Sequence, residues 1–275
     1  MKFILGLVLL CSCSGTKSRA GAQLESGTAH LDKGEYDLAI RDFDEAIRLD
    51  SVSADAYRNR GIAFRGKEEF DRAIQDYDKA VTLAPNDARI FQNRAMAYQG
   101  KGEFDVALRD FDQAVKIKPD FGLAWKNRGR TDVYLGRFPD AAADLAKGQS
   151  LDPANLYVAI WLHFVNRRIG RDDAKDFAAH VARTDTVKWP APVAKYYLGR
   201  LTADGLFAAA EDKDTVVQTQ HRCAASFYIG EELLAMKRDA DAATRFLETK
   251  AACPRSYTEY DGAIAELRRL GVSGK

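Results

Sequence analysis

Bulk charge is the first thing this sequence lacks: 41 lysines and arginines face 40 acidic residues, leaving a net charge of +1 over 275 residues. A nucleic-acid partner would call for a clear positive excess, so none is expected. Long apolar runs are missing too. The one at the start, Phe3–Leu10, holds eight residues, where a membrane-spanning helix needs about 20. Seven prolines and 20 glycines are too few for a linker-rich or collagen-like protein. His30, His163, His180 and His221 form no i, i+4 pair, so a zinc-binding helix of the His-Glu-x-x-His kind is excluded, as is a Gly-x-Ser-x-Gly nucleophile elbow. Gly100-Lys101-Gly102 lacks the Lys-Ser/Thr of a phosphate loop. The sequence therefore predicts no catalytic residue, no metal ligand and no cofactor.

What is present is a repeat. Ala39, Ala73, Ala107 and Ala141 stand at every thirty-fourth position. The same step carries Phe43, Tyr77, Phe111 and Leu145, then Ala46, Ala80, Ala114 and Gly148, then Ser51, Pro85, Pro119 and Pro153. Upstream, Gly27, Gly61, Ala95 and Gly129 keep it, as do His30, Phe64, Tyr98 and Asp132. Within Ala54–Lys67 the residues Tyr57, Gly61 and Phe64 share one helical face, and within Asp71–Leu83 so do Ala73, Tyr77 and Ala80. Small residues at Gly61, Ala73 and Ala80 let two such helices approach, and prolines end the second helix. The spacing resembles the tetratricopeptide repeat, a helix–turn–helix unit. That resemblance implies an all-α, solenoid-type fold with repeats at 20–53, 54–87, 88–121 and 122–155. His30 falls in a core slot, which predicts a packing role. Asp42 and Asp44, Asp76 and Asp78, and Asp110 and Asp112 recur on the second helices and read as a solvated outer face.

After Asn155 the register is lost while helical texture continues. Leu156–Arg171, Asp172–Arg183, Ala191–Gly199 and Ala203–Ala210 are helical candidates, interrupted at Trp189-Pro190-Ala191-Pro192; residues 156–222 form an irregular helical region. A degenerate hairpin follows at 223–271. Gly230, Leu233, Ala242, Phe246 and Pro254 reproduce the offsets of Gly61, Phe64, Ala73, Tyr77 and Pro85. In that register Cys223 opens one helix and Cys253 closes the next, which sets the two thiols side by side for a disulfide; two buried, reduced thiols are the alternative. Thr258–Leu270 completes the chain as a capping helix.

The N-terminus has a lysine, a short apolar stretch and a small-residue region, the layout of an export signal. Leu10-Cys11-Ser12-Cys13 resembles the bacterial lipoprotein cleavage box, which implies a signal over 1–12, lipidation of Cys13 and a tether over 13–19. Together with the repeats and the stretches Ile160-Trp161-Leu162, Tyr196-Tyr197-Leu198-Gly199, Ser226-Phe227-Tyr228-Ile229-Gly230 and Glu259-Tyr260, this resembles the NlpI-like tetratricopeptide lipoproteins of Gram-negative bacteria. The resemblance implies a lipid-anchored, homodimeric adaptor on the periplasmic face of the outer membrane, linking a periplasmic protease to cell-wall hydrolases. A soluble secreted or periplasmic peptide-binding module, and a cytosolic co-chaperone, are the alternatives.

Helical phase assigns the partner-facing side to the first helix of each repeat. In repeats two to four this gives Asp55, Arg58, Ile62 and Arg65; Arg89, Gln92, Met96 and Gln99; and Leu123, Lys126, Arg130 and Val133. Asn59, Asn93 and Asn127 recur one step away. The cations would favour an acidic segment or a free carboxylate through charge-assisted hydrogen bonds. The asparagines would either grip a peptide backbone or bridge neighbouring repeats, and the cations would otherwise be solvated.

Overall fold

A computed structural model describes residues 3–184, 187–255 and 257–272, with side chains from residue 18 onward. The described residues form fifteen α-helices, and none is long and apolar enough to cross a membrane. Two compact units, Met1–Lys118 and Pro119–Lys275, divide the chain.

The first unit holds three hairpins: α1 (Phe3–Asp32) with α2 (Tyr36–Leu49), α3 (Ala54–Gly66) with α4 (Phe70–Leu83), and α5 (Ala88–Gly100) with α6 (Phe104–Ile117). Each pairs a small residue with a large ring. A Cβ on Gly61 would lie 2.7 Å from the Tyr77 ring, so only glycine admits this approach. Ala73 and Ala80 are fully buried beside it. Ser53 and Asp87 cap α3 and α5 by accepting from the Ala56 and Arg89 amides, each satisfying one of the four unpaired donors that open its helix.

Two expectations change here. Helix α1 runs without a break through 13–19, where a tether was expected; no proline interrupts Gly15–Asp32, and the segment continues the first helix of repeat one. The side chains of Cys11 and Cys13, and hence the lipidation expectation, lie outside the described residues. His30 is half-buried rather than packed in the core. Its Nδ1 lies 2.5 Å from a Glu35 carboxylate oxygen, across the turn.

The second unit begins with α7 (Gly122–Tyr134) and α8 (Phe138–Leu151), followed by α9 (Leu156–Arg168), α10 (Ala174–Val181), α11 (Ala191–Tyr197), α12 (Ala203–Ala209), α13 (Thr215–Ala235), α14 (Asp239–Ala252) and α15 (Thr258–Arg269). The repeat register persists past Asn155. Asn155 caps α9 as Ser53 and Asp87 cap α3 and α5, and α9 ends in a left-handed turn at Gly170, one full repeat period after Gly136. Periodicity first fails at α10, where Lys175 occupies the slot of Ala39, Ala73, Ala107 and Ala141.

Helices α13 and α14 form the expected hairpin, with Gly230 against the Phe246 ring. Cys223 and Cys253 are joined in a disulfide at a Cα–Cα distance of 5.5 Å. Cys223 does not open its helix, because α13 starts eight residues earlier at Thr215, capped by Asp214. Burial of Arg168 against Glu231 and Glu266 ties α9 to α13 and α15.

Candidate binding faces

In Met1–Lys118 the first helices α1, α3 and α5 are neighbours, and three arginines mark this face. Arg58 pairs with Asp55 at 2.8 Å. Arg89 holds Asp87 at 2.6 Å and approaches Asp55 at 3.7 Å. Arg65 makes no ion pair among the described residues. The Nε atoms of Arg58 and Arg65 are buried without a hydrogen-bond partner, as is the Tyr77 hydroxyl beneath them. Burial pushes the Tyr77 phenol well above its ordinary pKa, against the pull of Arg65. Charge adds up in favour of an anion: Arg58, Arg65 and Arg89 outnumber Asp55 and Asp87. Unpaired buried donors are costly and gain most from a charged acceptor.

The remaining predicted residues on this face divide by environment. Asn59 is buried and donates to the Thr28 hydroxyl of the preceding repeat at 3.3 Å, so it bridges repeats. Asn93 is buried as well. Gln92 turns its amide onto the Met96 sulfur at 3.0 Å. Ile62 and Met96 pack on the cores around Tyr77 and Phe111 while keeping part of their surface open.

The recurrent aspartates divide: Asp44, Asp78 and Asp112 are exposed as expected, whereas Asp76 and Asp110 are buried. Arg60 grips Asp76 with two bonds of 2.8 and 2.6 Å and reaches Asp44 of the preceding repeat at 2.5 Å. Arg94 does the same with Asp110, at 2.7 Å twice, and with Asp78 at 2.6 Å. In repeat one Ser26 stands in the arginine slot and donates to Asp42 at 2.6 Å. Asp76 and Asp110 are buried; these carboxylates fasten helices together.

In Pro119–Lys275 the predicted Lys126 and Arg130 line a cavity of about 290 Å³ together with Tyr157, Trp161, Trp189 and Glu259. The chain's own helices α9, α13 and α15 line it as well, so this first-helix face is a partly covered hollow rather than a fully open groove. Asn127 is buried and its amide nitrogen has no partner. Desolvation lowers the Lys126 pKa, with Arg130 adding to the effect.

Comparison with known proteins fixes the architecture. Tetratricopeptide repeat models match residues 24–88 and 88–121. Residues 24–121 are tetratricopeptide repeats. Among solved structures, PilF of Pseudomonas aeruginosa is 18% identical with a TM-score of 0.56, over 92% of this chain and 99% of that one. A tetratricopeptide repeat protein from Parabacteroides merdae is 18% identical at 0.57, covering 91% and 99%. MamA from Desulfovibrio magneticus is 21% identical at 0.52, covering 60% and 92%. At these identities the likeness is one of fold.

The tetratricopeptide period also explains which cavity residues went unnoticed in the sequence. Trp161 stands one period after Asn127, and Tyr157 one period after Leu123. One further step of the repeat would have placed both on the first-helix face. Trp189 and Glu259 carry no such signal, since tertiary packing alone brings them there. His163 also gains a partner that spacing could not show: Asp173, at 2.7 Å, which also accepts from Asn166 at 2.8 Å. His163 stacks on Phe177 at 4.1 Å, and no serine, threonine or cysteine lines the adjoining hollow. This pair docks α10 on α9.

Proposed function

We propose that this protein is a non-catalytic adaptor whose tetratricopeptide repeats bind acidic segments of partner polypeptides on the first-helix face of Met1–Lys118. The observation that supports it is the pair of buried, unpartnered guanidinium nitrogens of Arg58 and Arg65 beside a net positive charge. An acidic side chain or chain end would pair with the exposed part of these guanidinium groups. Partner specificity would then come from the half-open Ile62 and Met96 between the cations.

The sequence motifs extend the proposal to place and partners. Lipidation of Cys13 would hold the adaptor on the periplasmic face of the outer membrane, where an NlpI-like protein would link a periplasmic protease to cell-wall hydrolases, as a homodimer. Two other readings are a soluble secreted or periplasmic peptide-binding module, which loses the signal without gaining a lipid, and a cytosolic co-chaperone, which keeps its N-terminus. Intact mass separates them: a diacylated chain beginning at Cys13 supports the lipoprotein, a cleaved chain without lipid the secreted module, and a chain retaining Met1 the co-chaperone.

Binding itself is tested with a fluorescent peptide carrying four glutamates, titrated at rising salt. Affinity should fall steeply with salt and drop at least tenfold in the double variant Arg58→Glu, Arg65→Glu. Equal affinity of the variant and the wild type would remove the proposed face.

A further inference from the structure

The partly covered cavity of Pro119–Lys275 has no part in the acidic-segment reading, and it carries a separate chemistry. Its volume of about 290 Å³ compares with the roughly 150 Å³ of an engineered protein cavity that accepts benzene. The space suits one ring-sized group together with a charged head. Both kinds of wall are present. Trp161 is braced by Phe164 and Phe227, with ring centroids 5.0 and 5.9 Å away, and Trp189 lies on His221 at 4.3 Å. Tyr157 completes the aromatic side.

Lys126 and Arg130 stand one helical turn apart on α7 and provide the charge. Neither makes an ion pair among the described residues, and the Arg130 Nε is buried without a partner. Two cations confined together repel, so the hollow gains from an anion brought from outside. The acids nearby do not fill that role. Glu259 accepts from the Thr258 hydroxyl at 3.1 Å, and burial raises its pKa. Asp261 is pushed up to about 7 by burial, against the pull of Arg130 and Arg268. Asp152 acts on Lys126 without pairing with it.

We propose that this cavity binds an amino-acid-sized carboxylate with an aromatic or large apolar side chain, its carboxylate between Lys126 and Arg130 and its side chain against Tyr157, Trp161 and Trp189. The ligand's nitrogen is acylated, because a free ammonium would meet the same two cations. An N-acyl amino acid and the last residue of a polypeptide share this chemistry.

Isothermal titration of the full-length chain tests it with four probes: N-acetylphenylalanine, N-acetylphenylalaninamide, a neutral hexapeptide ending in phenylalanine, and that hexapeptide amidated. The acids should bind at least tenfold more tightly than the matching amides. Lys126→Met should cost at least tenfold and Tyr157→Ala severalfold, while Arg109→Ala at an exposed position of the other unit leaves the affinity unchanged. N-acetylphenylalanine binding as well as the hexapeptide acid identifies a small molecule as the source; binding of the hexapeptide acid alone identifies a chain end. Failure of both acids to bind, equal binding of acid and amide, or an unchanged affinity in Lys126→Met overturns the proposal. Loss here with acidic-peptide binding intact, or the reverse, keeps the two sites distinguishable.

Discussion

Arg60 and Arg94 show how much one side chain can fasten. Each spans its own hairpin through a two-pronged bond to an aspartate on the second helix, and each also holds an aspartate of the hairpin before. Removing one partner from a buried pair strands the other charge, at a cost of about 3–5 kcal/mol. Arg94→Ala should therefore lower stability by about 3 kcal/mol in urea unfolding, since Arg94 is only partly buried. The exposed Arg109→Ala should change it by less than about 0.5 kcal/mol. Equal effects would deny the ladder its structural role. The repeat period made the aspartates visible in the sequence. Their partners recur at the same step, as Arg60, Arg94 and Arg128, but the pairing was not visible, because a solvated carboxylate and a clamped one leave the same trace in a single chain.

Helices and turns were the most legible level. Phase, prolines and caps located α3, α4, α9, α11, α12 and α15 to within a few residues, because each signal acts locally. Helix α13 began earlier than expected: Thr215-Val216-Val217 is rich in β-branched residues and carries little helical signal, yet Asp214 caps it. Turns repeat with the same regularity. Gly34, Gly102, Gly136 and Gly170 adopt positive φ at the slot where repeat two has Glu68, at φ 60°. A non-glycine residue pays about 1–2 kcal/mol there, so Glu68→Gly should stabilise the chain by about 1 kcal/mol and raise the melting temperature. An unchanged or lowered melting temperature would show that Glu68 gains something else from its position.

At the scale of the molecule the two units differ in how they use their first helices. Met1–Lys118 keeps an accessible cationic face, whereas Pro119–Lys275 partly covers its own with α9, α13 and α15, and the same unit buries several acids. Burial raises Asp132 to about 7, helped by Asp144 and Asp140, and burial raises Asp261 to about 7. Glu231 is also shifted upward, by desolvation first and by Glu266 next. A carboxyl whose folded pKa lies above its unfolded one holds its proton longer when folded. Its contribution is therefore complete below the ordinary carboxylate range and is lost as pH rises through about 7. Melting temperature should fall between about pH 5 and pH 8, and Asp132→Asn should flatten that slope; an unaltered slope would assign it to other groups. The repeat region could be read from sequence because its contacts are periodic. The partial cover over Lys126 and Arg130 could not, because helices distant in sequence, as far on as the one that carries Glu259, supply it.

The acidic-polypeptide account turns on where a partner touches the first unit. Photocrosslinking from benzoylphenylalanine placed in turn at Ile62, Met96 and the exposed second-helix position Lys79, in living cells, reads this directly. The account predicts covalent adducts from positions 62 and 96, mapping by mass spectrometry to acidic segments, and none from position 79. Adducts from position 79 alone, or adducts from 62 and 96 that map to basic or neutral segments, would contradict it.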